Sequence, residues 1–162
     1  MNPPEIESSR LLLVEDDPND VELIRLALET GGLAAPMDVV NDGEAALNYL
    51  LGEALGDSLD DASQAAAVRP LPRFVLLDLK LPRINGIQLL QRLRSHPRTR
   101  RLVIVVMSSS QEDQDLNACY DLGVNSYIVK PQDFQQFSDA VQQISHYWMQ
   151  LNCPPLPTPL PS

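Results

Sequence analysis

Five polar side chains interrupt this chain at comparable places. Glu15 and Asp16 follow the apolar run Leu11–Val14, and Asp78 follows Phe74–Leu77. Ser108 follows Leu102–Met107, and Lys130 follows Ser126–Val129. If those runs are neighbouring strands, three carboxylates, a hydroxyl and an ammonium gather at one edge. Three carboxylates that close do not all stay ionised without a cation. Oxygen donors at partial solvent access suit Mg²⁺, which keeps several waters and uses one or two carboxylates. With one such ion and the lysine, the set is about neutral. An acyl phosphate on one carboxylate carries roughly −2. The metal, Lys130 and Ser108 would then hold a site of about −1. Carboxylates act as nucleophiles of this kind, and phosphoryl transfer asks mainly for positioning and charge neutralisation.

Taken singly, each residue has a plainer reading. Asp17 is better read as a helix cap than as a ligand, Asp78 as a residue before a turn, Ser108 as a loop hydroxyl and Lys130 as a surface lysine. Only their joint placement at matching strand ends calls for chemistry.

The elements that must position them follow from pattern. Asp17-Pro18 reads as N-cap and first residue of a helix carrying Val21, Ile24, Ala27 and Leu28, stopped by Gly31-Gly32. Met37–Val40 is a second strand, and Glu44–Leu51 a second helix. Residues 52–73, with four acids and Pro70 and Pro72, read as a long surface loop. Ile87, Leu89, Leu90 and Leu93 mark a third helix ended at His96-Pro97. Gln111–Leu122 is a polar helix closed by Gly123. A last helix carries Phe134, Phe137, Val141, Ile144 and Trp148; the first four are expected in the core, and Tyr147 and Trp148 beyond it. Strand and helix alternate five times, and strands apolar throughout have both faces covered. The fold class expected is α/β, a doubly wound five-stranded parallel sheet with helices on both faces. Ligands of such sheets bind at the carboxyl ends of the strands.

Composition excludes other classes. The 162 residues carry 12 bases and 22 acids, a net charge of −10, which disfavours nucleic acid and anionic membranes as partners. The charge is uneven: residues 1–61 hold 15 acids and two bases, and residues 62–162 hold seven acids and ten bases. The start MNPPEIESSR has no secretory apolar core, and no run approaches the ~20 apolar residues of a membrane span. Cys119 and Cys153 make neither a metal-site spacing nor a disulfide framework. A cytoplasmic location is expected.

Val14-Glu15-Asp16-Asp17, Leu77–Pro82 with Asn85-Gly86, Ser108 and Tyr127–Pro131 together resemble the receiver domain of two-component response regulators. The resemblance covers about residues 9–150, leaving a Pro-rich tail at 151–162. It implies the flavodoxin-like strand order 2-1-3-4-5. It also implies that Asp78 is the phosphoacceptor, Asp16 a direct Mg²⁺ ligand, Glu15 a ligand mostly through water, and the Lys80 backbone carbonyl a further ligand. Ser108 would be the switch hydroxyl, Tyr127 the aromatic that swings inward, and Lys130 the partner of a phosphoryl oxygen, with a cis Lys130–Pro131 bond. Lys80 and Ser110 stand where similar domains tune the lifetime of the phosphoryl group. The departures are Glu15 for the commoner Asp, Ser108 for Thr, and the insert at 52–73.

Leu79-Lys80 and the long last helix resemble a narrower group, the single-domain receivers paired with phytochrome histidine kinases, bacteriophytochromes included. Those proteins tend to be homodimers, which fits Tyr147 and Trp148 as interface residues. Only 32 residues follow Lys130, five of them prolines between Pro154 and Pro161, and no output domain is legible there. No nucleotide-phosphate motif is visible either. The expected partners are therefore a sensor histidine kinase and an unknown downstream protein, and no enzyme activity beyond self-phosphotransfer and autodephosphorylation is expected. A phosphorelay intermediate, passing the group to another histidine protein, would use the same residues. Between Leu79 and Gln111 seven bases stand with no acid, read mainly as a solvated helix face.

Overall fold

Short strands that are apolar at every position must be covered on both sides, and the arrangement that does so here is a parallel sheet between two helical layers. The computed structural model describes residues 10–33, 35–52 and 70–155. In chain order the elements are β1 (Leu11–Val14), α1 (Pro18–Thr30), β2 (Met37–Val40), α2 (Gly43–Leu51) and β3 (Phe74–Leu77). Then come α3 (Gly86–Ser95), β4 (Ile104–Ser108), α4 (Asp113–Asp121), β5 (Ser126–Val129) and α5 (Phe134–His146), which continues as a π-helical turn, Tyr147–Leu151. The strand order is β2-β1-β3-β4-β5, all parallel, as expected. Most of the loop read at 52–73 and the end of the Pro-rich tail lie outside the described residues.

The period-2 alternation of the strands divides the core in two. Leu12, Val14, Val75, Leu77, Ile104 and Val106 face α2, α3 and α4. Leu11, Leu13, Phe74, Leu76, Val105 and Met107 face α1 and α5. Register then sets the site: Val14 lies beside Val40 and Leu77, and Leu77 beside Val106, so the polar residues that follow emerge on one edge. Between β1 and β3 the chain leaves in opposite directions, which is where a doubly wound sheet opens a crevice.

Caps fix the helices that border this edge. The Asp17 carboxylate accepts the Asn19 N–H at 2.9 Å, and the Asp42 carboxylate accepts that of Ala45 at 2.7 Å. Asn85 and Gln88 form a reciprocal capping box at the start of α3. Glu112 precedes α4 without any side-chain cap, and Cys119 is the single buried residue of that helix.

Four expectations change. Phe134, assigned to the core, is 51% exposed, because it is the first residue of α5. Trp148 packs against the α1/α5 core cluster, on the stripe of Val141 and Ile144, because that cluster extends past the end of α5 as far as Met149. There the Arg73 guanidinium donates to the carbonyls of Trp148 and Asn152 at 3.2 and 2.9 Å, tying the segment to the start of β3. No peptide bond among the described residues is cis, so Lys130–Pro131 is trans; the two isomers of such a bond differ by only about 0.5–1 kcal/mol, and sequence alone does not choose. The fourth is only refined: most of the basic run is exposed, as expected, but Arg94 donates to the carbonyls of Thr99, Arg100 and Gly123, and Arg98 to that of Leu50.

Gly86 sits directly beneath the segment that follows β3. A Cβ there would lie 2.7 Å from both the Asp78 carbonyl oxygen and the Leu79 Cα, backbone atoms that yield only if the loop moves. Gly86→Ala is expected to lower stability by about 1–3 kcal/mol, the cost of overpacking. Urea unfolding measures it, and an unchanged midpoint would mean that the loop gives freely.

Candidate functional site

The strand ends deliver the five residues as the register requires. One carboxylate oxygen from each of Glu15, Asp16 and Asp78 lies within 4.8 Å of the others. Glu15 and Asp78 are buried and Asp16 is exposed, so the cluster has a closed floor and an open mouth. An all-oxygen donor set with one solvated member fits a hard divalent cation that keeps part of its water.

Lys130 reaches across from the end of β5. Its ammonium donates to Asp20 Oδ2 at 2.7 Å, Glu15 Oε2 at 3.0 Å and Asp78 Oδ2 at 3.2 Å. The second Glu15 oxygen accepts the Asp17 N–H at 3.1 Å, and the second Asp78 oxygen accepts the Lys80 N–H at 3.3 Å. The Lys80 side chain itself is exposed.

Burial pushes the Glu15 carboxyl up to about 7, and the negative charge of Asp78 adds to the rise against the opposing pull of Lys130. For Lys130 burial acts downward, but the contacts with Asp20, Asp78 and Glu15 outweigh it and raise the amine above its ordinary range. The acid pocket therefore holds more negative charge than one ammonium compensates, which is the condition for taking up a cation.

Ser108 ends β4, wholly buried. Its hydroxyl oxygen accepts the Ser110 N–H at 3.2 Å, while the Ser110 hydroxyl donates to Asp115 on α4 at 2.6 Å. The Tyr127 hydroxyl donates to the Ser110 carbonyl at 3.1 Å, and burial raises its pKa. Ser108 and Tyr127 are thus joined through Ser110 rather than through direct ligation of the acid cluster. Sequence reasoning singled out the strand-end residues, Lys80, Ser110 and Tyr127, but missed Asp115 and Asp20. An acid in the first turn of a helix is ordinarily explained by the helix dipole, and its reach to a lysine 110 residues away leaves no local trace.

A doubly wound sheet with an acidic cation pocket and an apposed lysine at its switch point defines the class of domain. The model of the response regulator receiver domain matches residues 11–142, and the chain belongs to that family. It is 38% identical over 148 residues to the probable methanogenesis regulatory protein FilR2 of Methanothrix harundinacea, covering 91% of this chain and 88% of that one. It is 30% identical over 149 residues to the response regulator Rcp1 of Synechocystis, covering 92% of each. The crystal structure of Mn²⁺-bound Rcp1 superposes with a TM-score of 0.77 at 28% identity, over 91% of this chain and 99% of that one. That of the phosphorylated cyanobacterial phytochrome response regulator RcpA gives 0.78 at 33% identity, over 91% and 98%. No helix among the described residues is long and apolar enough to cross a membrane.

The Glu15 shift sets a pH dependence for the metal-free protein. Between its ordinary value of 4.5 and about 7 the folded state binds more protons at Glu15 than the unfolded chain does. Its contribution to stability therefore falls as pH rises through that window. Urea unfolding in the presence of a chelator should show that decline from about pH 5 to 7, and Glu15→Gln should flatten it. An equal slope in the variant would assign the titration elsewhere.

Proposed function

We propose that this chain is a stand-alone phosphorylation switch with Asp78 as the phosphoacceptor. What carries the reading is the Lys130–Asp78 contact of 3.2 Å beside a three-carboxylate cation pocket at the switch point of the sheet. In this reading Asp16, Glu15, Asp78 and the Lys80 backbone carbonyl would hold Mg²⁺. It supplies the positive charge that lets a phosphoryl group approach a buried carboxylate.

Asp78 attacks the phosphorus of a phosphohistidine on a sensor kinase. The new P–O bond forms as the P–N bond breaks, and the histidine nitrogen keeps the electron pair and takes a proton. Lys130 pairs with a phosphoryl oxygen, and the Ser108 hydroxyl donates to another. Because Ser108, Ser110, Asp115 and Tyr127 form one linked set, drawing Ser108 toward the phosphoryl group shifts the start of α4 and the outer side of β5. That surface is the output, read by a downstream protein. The receiver unit then runs over residues 9–150, and the cytoplasm is its place of work. The likeness to RcpA, described as a phytochrome response regulator, supports a phytochrome-type histidine kinase as donor.

A homodimer is part of the proposal. Tyr147 and Leu151 are 47% and 65% exposed one turn apart at the end of the last helix, and exposed aromatic and apolar groups of this kind favour an interface. Trp148, edge-on to Tyr147 at 4.8 Å, backs them from the core side.

Intact-mass measurement after incubation with Mg²⁺ and acetyl phosphate should show one added phosphoryl group, absent in Asp78→Asn and without the metal. Its persistence in Asp78→Asn would overturn the assignment. Light scattering should give a dimer for the wild type and a monomer for Tyr147→Ala/Leu151→Ala; a monomeric wild type would remove the dimer from the proposal.

A further inference from the structure

Lys130 has three carboxylate partners, and the shortest contact, 2.7 Å, goes to the one residue of the three that stands outside the cation pocket. Asp20 sits on the first turn of α1, 22% exposed at its side chain, whereas Glu15 and Asp78 are 2% and 8% exposed. An ammonium has three N–H donors, and here each has a carboxylate: Glu15, Asp20 and Asp78.

The deepening of the proposed function rests on the reading of Asp78 as phosphoacceptor. We propose that Asp20 is a competitor for Lys130, a positioning residue that holds the ammonium toward α1 and so opposes its full engagement by a phosphoryl group on Asp78. Glu15 does not play this part, since it belongs to the cation pocket and a bound ion would share its charge. Asp20 lies outside that pocket, and its ion pair is with Lys130. Phosphorylation replaces a charge of −1 on Asp78 by roughly −2, and Lys130 must then divide its charge between the phosphoryl oxygens and Asp20. A carboxylate on the open side of the pocket thus biases the protein toward its unphosphorylated form and limits how long the other form is held.

Loss of the Asp20 charge should therefore stabilise the phosphoryl-bearing state, whereas general loosening of the pocket would weaken it. The two effects have opposite signs, which makes equilibrium binding the decisive measurement. The probe is beryllofluoride, a phosphoryl mimic, titrated into the full chain at saturating Mg²⁺ and followed by amide chemical shifts of residues 108–121. Asp20→Asn should bind it on the order of tenfold tighter, the size of one unit charge removed at close range under partial screening. Asp20→Glu, which keeps the charge, should stay near the wild type. Equal or weaker binding by Asp20→Asn would overturn the competition. Failure of the wild type to bind, or binding by Asp78→Asn, would overturn the phosphoacceptor reading itself and the competition with it.

Discussion

Burying Glu15 and Asp78 next to each other carries an electrostatic cost that a positive charge in contact must offset. The Lys130 ammonium meets that need, and the rest of the structure can be seen as the means of bringing it there. Lys130 lies at the end of the edge strand β5, two strands from Asp78 and three from Glu15. Its backbone N–H donates to the Ser108 carbonyl at 2.8 Å, extending the β4–β5 ladder by one bond beyond Val129. The lysine is therefore aimed by the sheet, not by a loop. One ammonium does not neutralise three carboxylates, and burial together with the Asp78 charge still holds the Glu15 carboxyl above its ordinary range. The site is held together by one cation and remains receptive to another.

The two sides of this site are built differently. On the β1/β3 side the backbone is close-packed. The Asp78 carbonyl and Leu79 press on Gly86, and the Ile84 carbonyl would stand only 2.5 Å from a Cβ on Gly43. The capping box of α3 and the Asp42 cap of α2 fix both helix starts. In the proposed role of Asp78 as phosphoacceptor such a frame matters, since small displacements of a reacting group are costly in rate.

The sheet was legible because its strands are buried on both faces, so short apolar runs ending in polar residues marked elements and site together. What periodicity does not carry is distance along an axis and long-range pairing. Phe134 has the right spacing from Phe137 for a core stripe, but spacing says nothing of how far the covering layer extends toward the first helical turn. The same holds for Trp148: its spacing from Val141 and Ile144 puts it on the core stripe, but spacing does not tell that the core reaches along the helix as far as Met149. Arg94 and Arg98 looked like surface charge because their partners are backbone carbonyls, which every residue has. Asp20 was hidden for a related reason: its local role explains it fully until β5 is brought alongside.

The β4–α4–β5 side has the opposite character, and in the proposed switch that contrast is what would let a small chemical change travel. The α4 helix buries Cys119 alone and starts without a side-chain cap, so its N-terminus is restrained chiefly through Ser110, whose hydroxyl donates to Asp115 at 2.6 Å and accepts the Glu112 N–H at 3.3 Å. Ser110 in turn takes its position from Ser108 on one side and Tyr127 on the other. A helix with little apolar anchorage, tethered at its start through a single serine, has a low cost of displacement, while the Asp78 side has a high one. Any force applied to Ser108 is thus relieved toward α4 and not toward Asp78. Directionality here needs no dedicated pathway; it follows from stiff packing on one flank of the pocket and a polar hinge on the other.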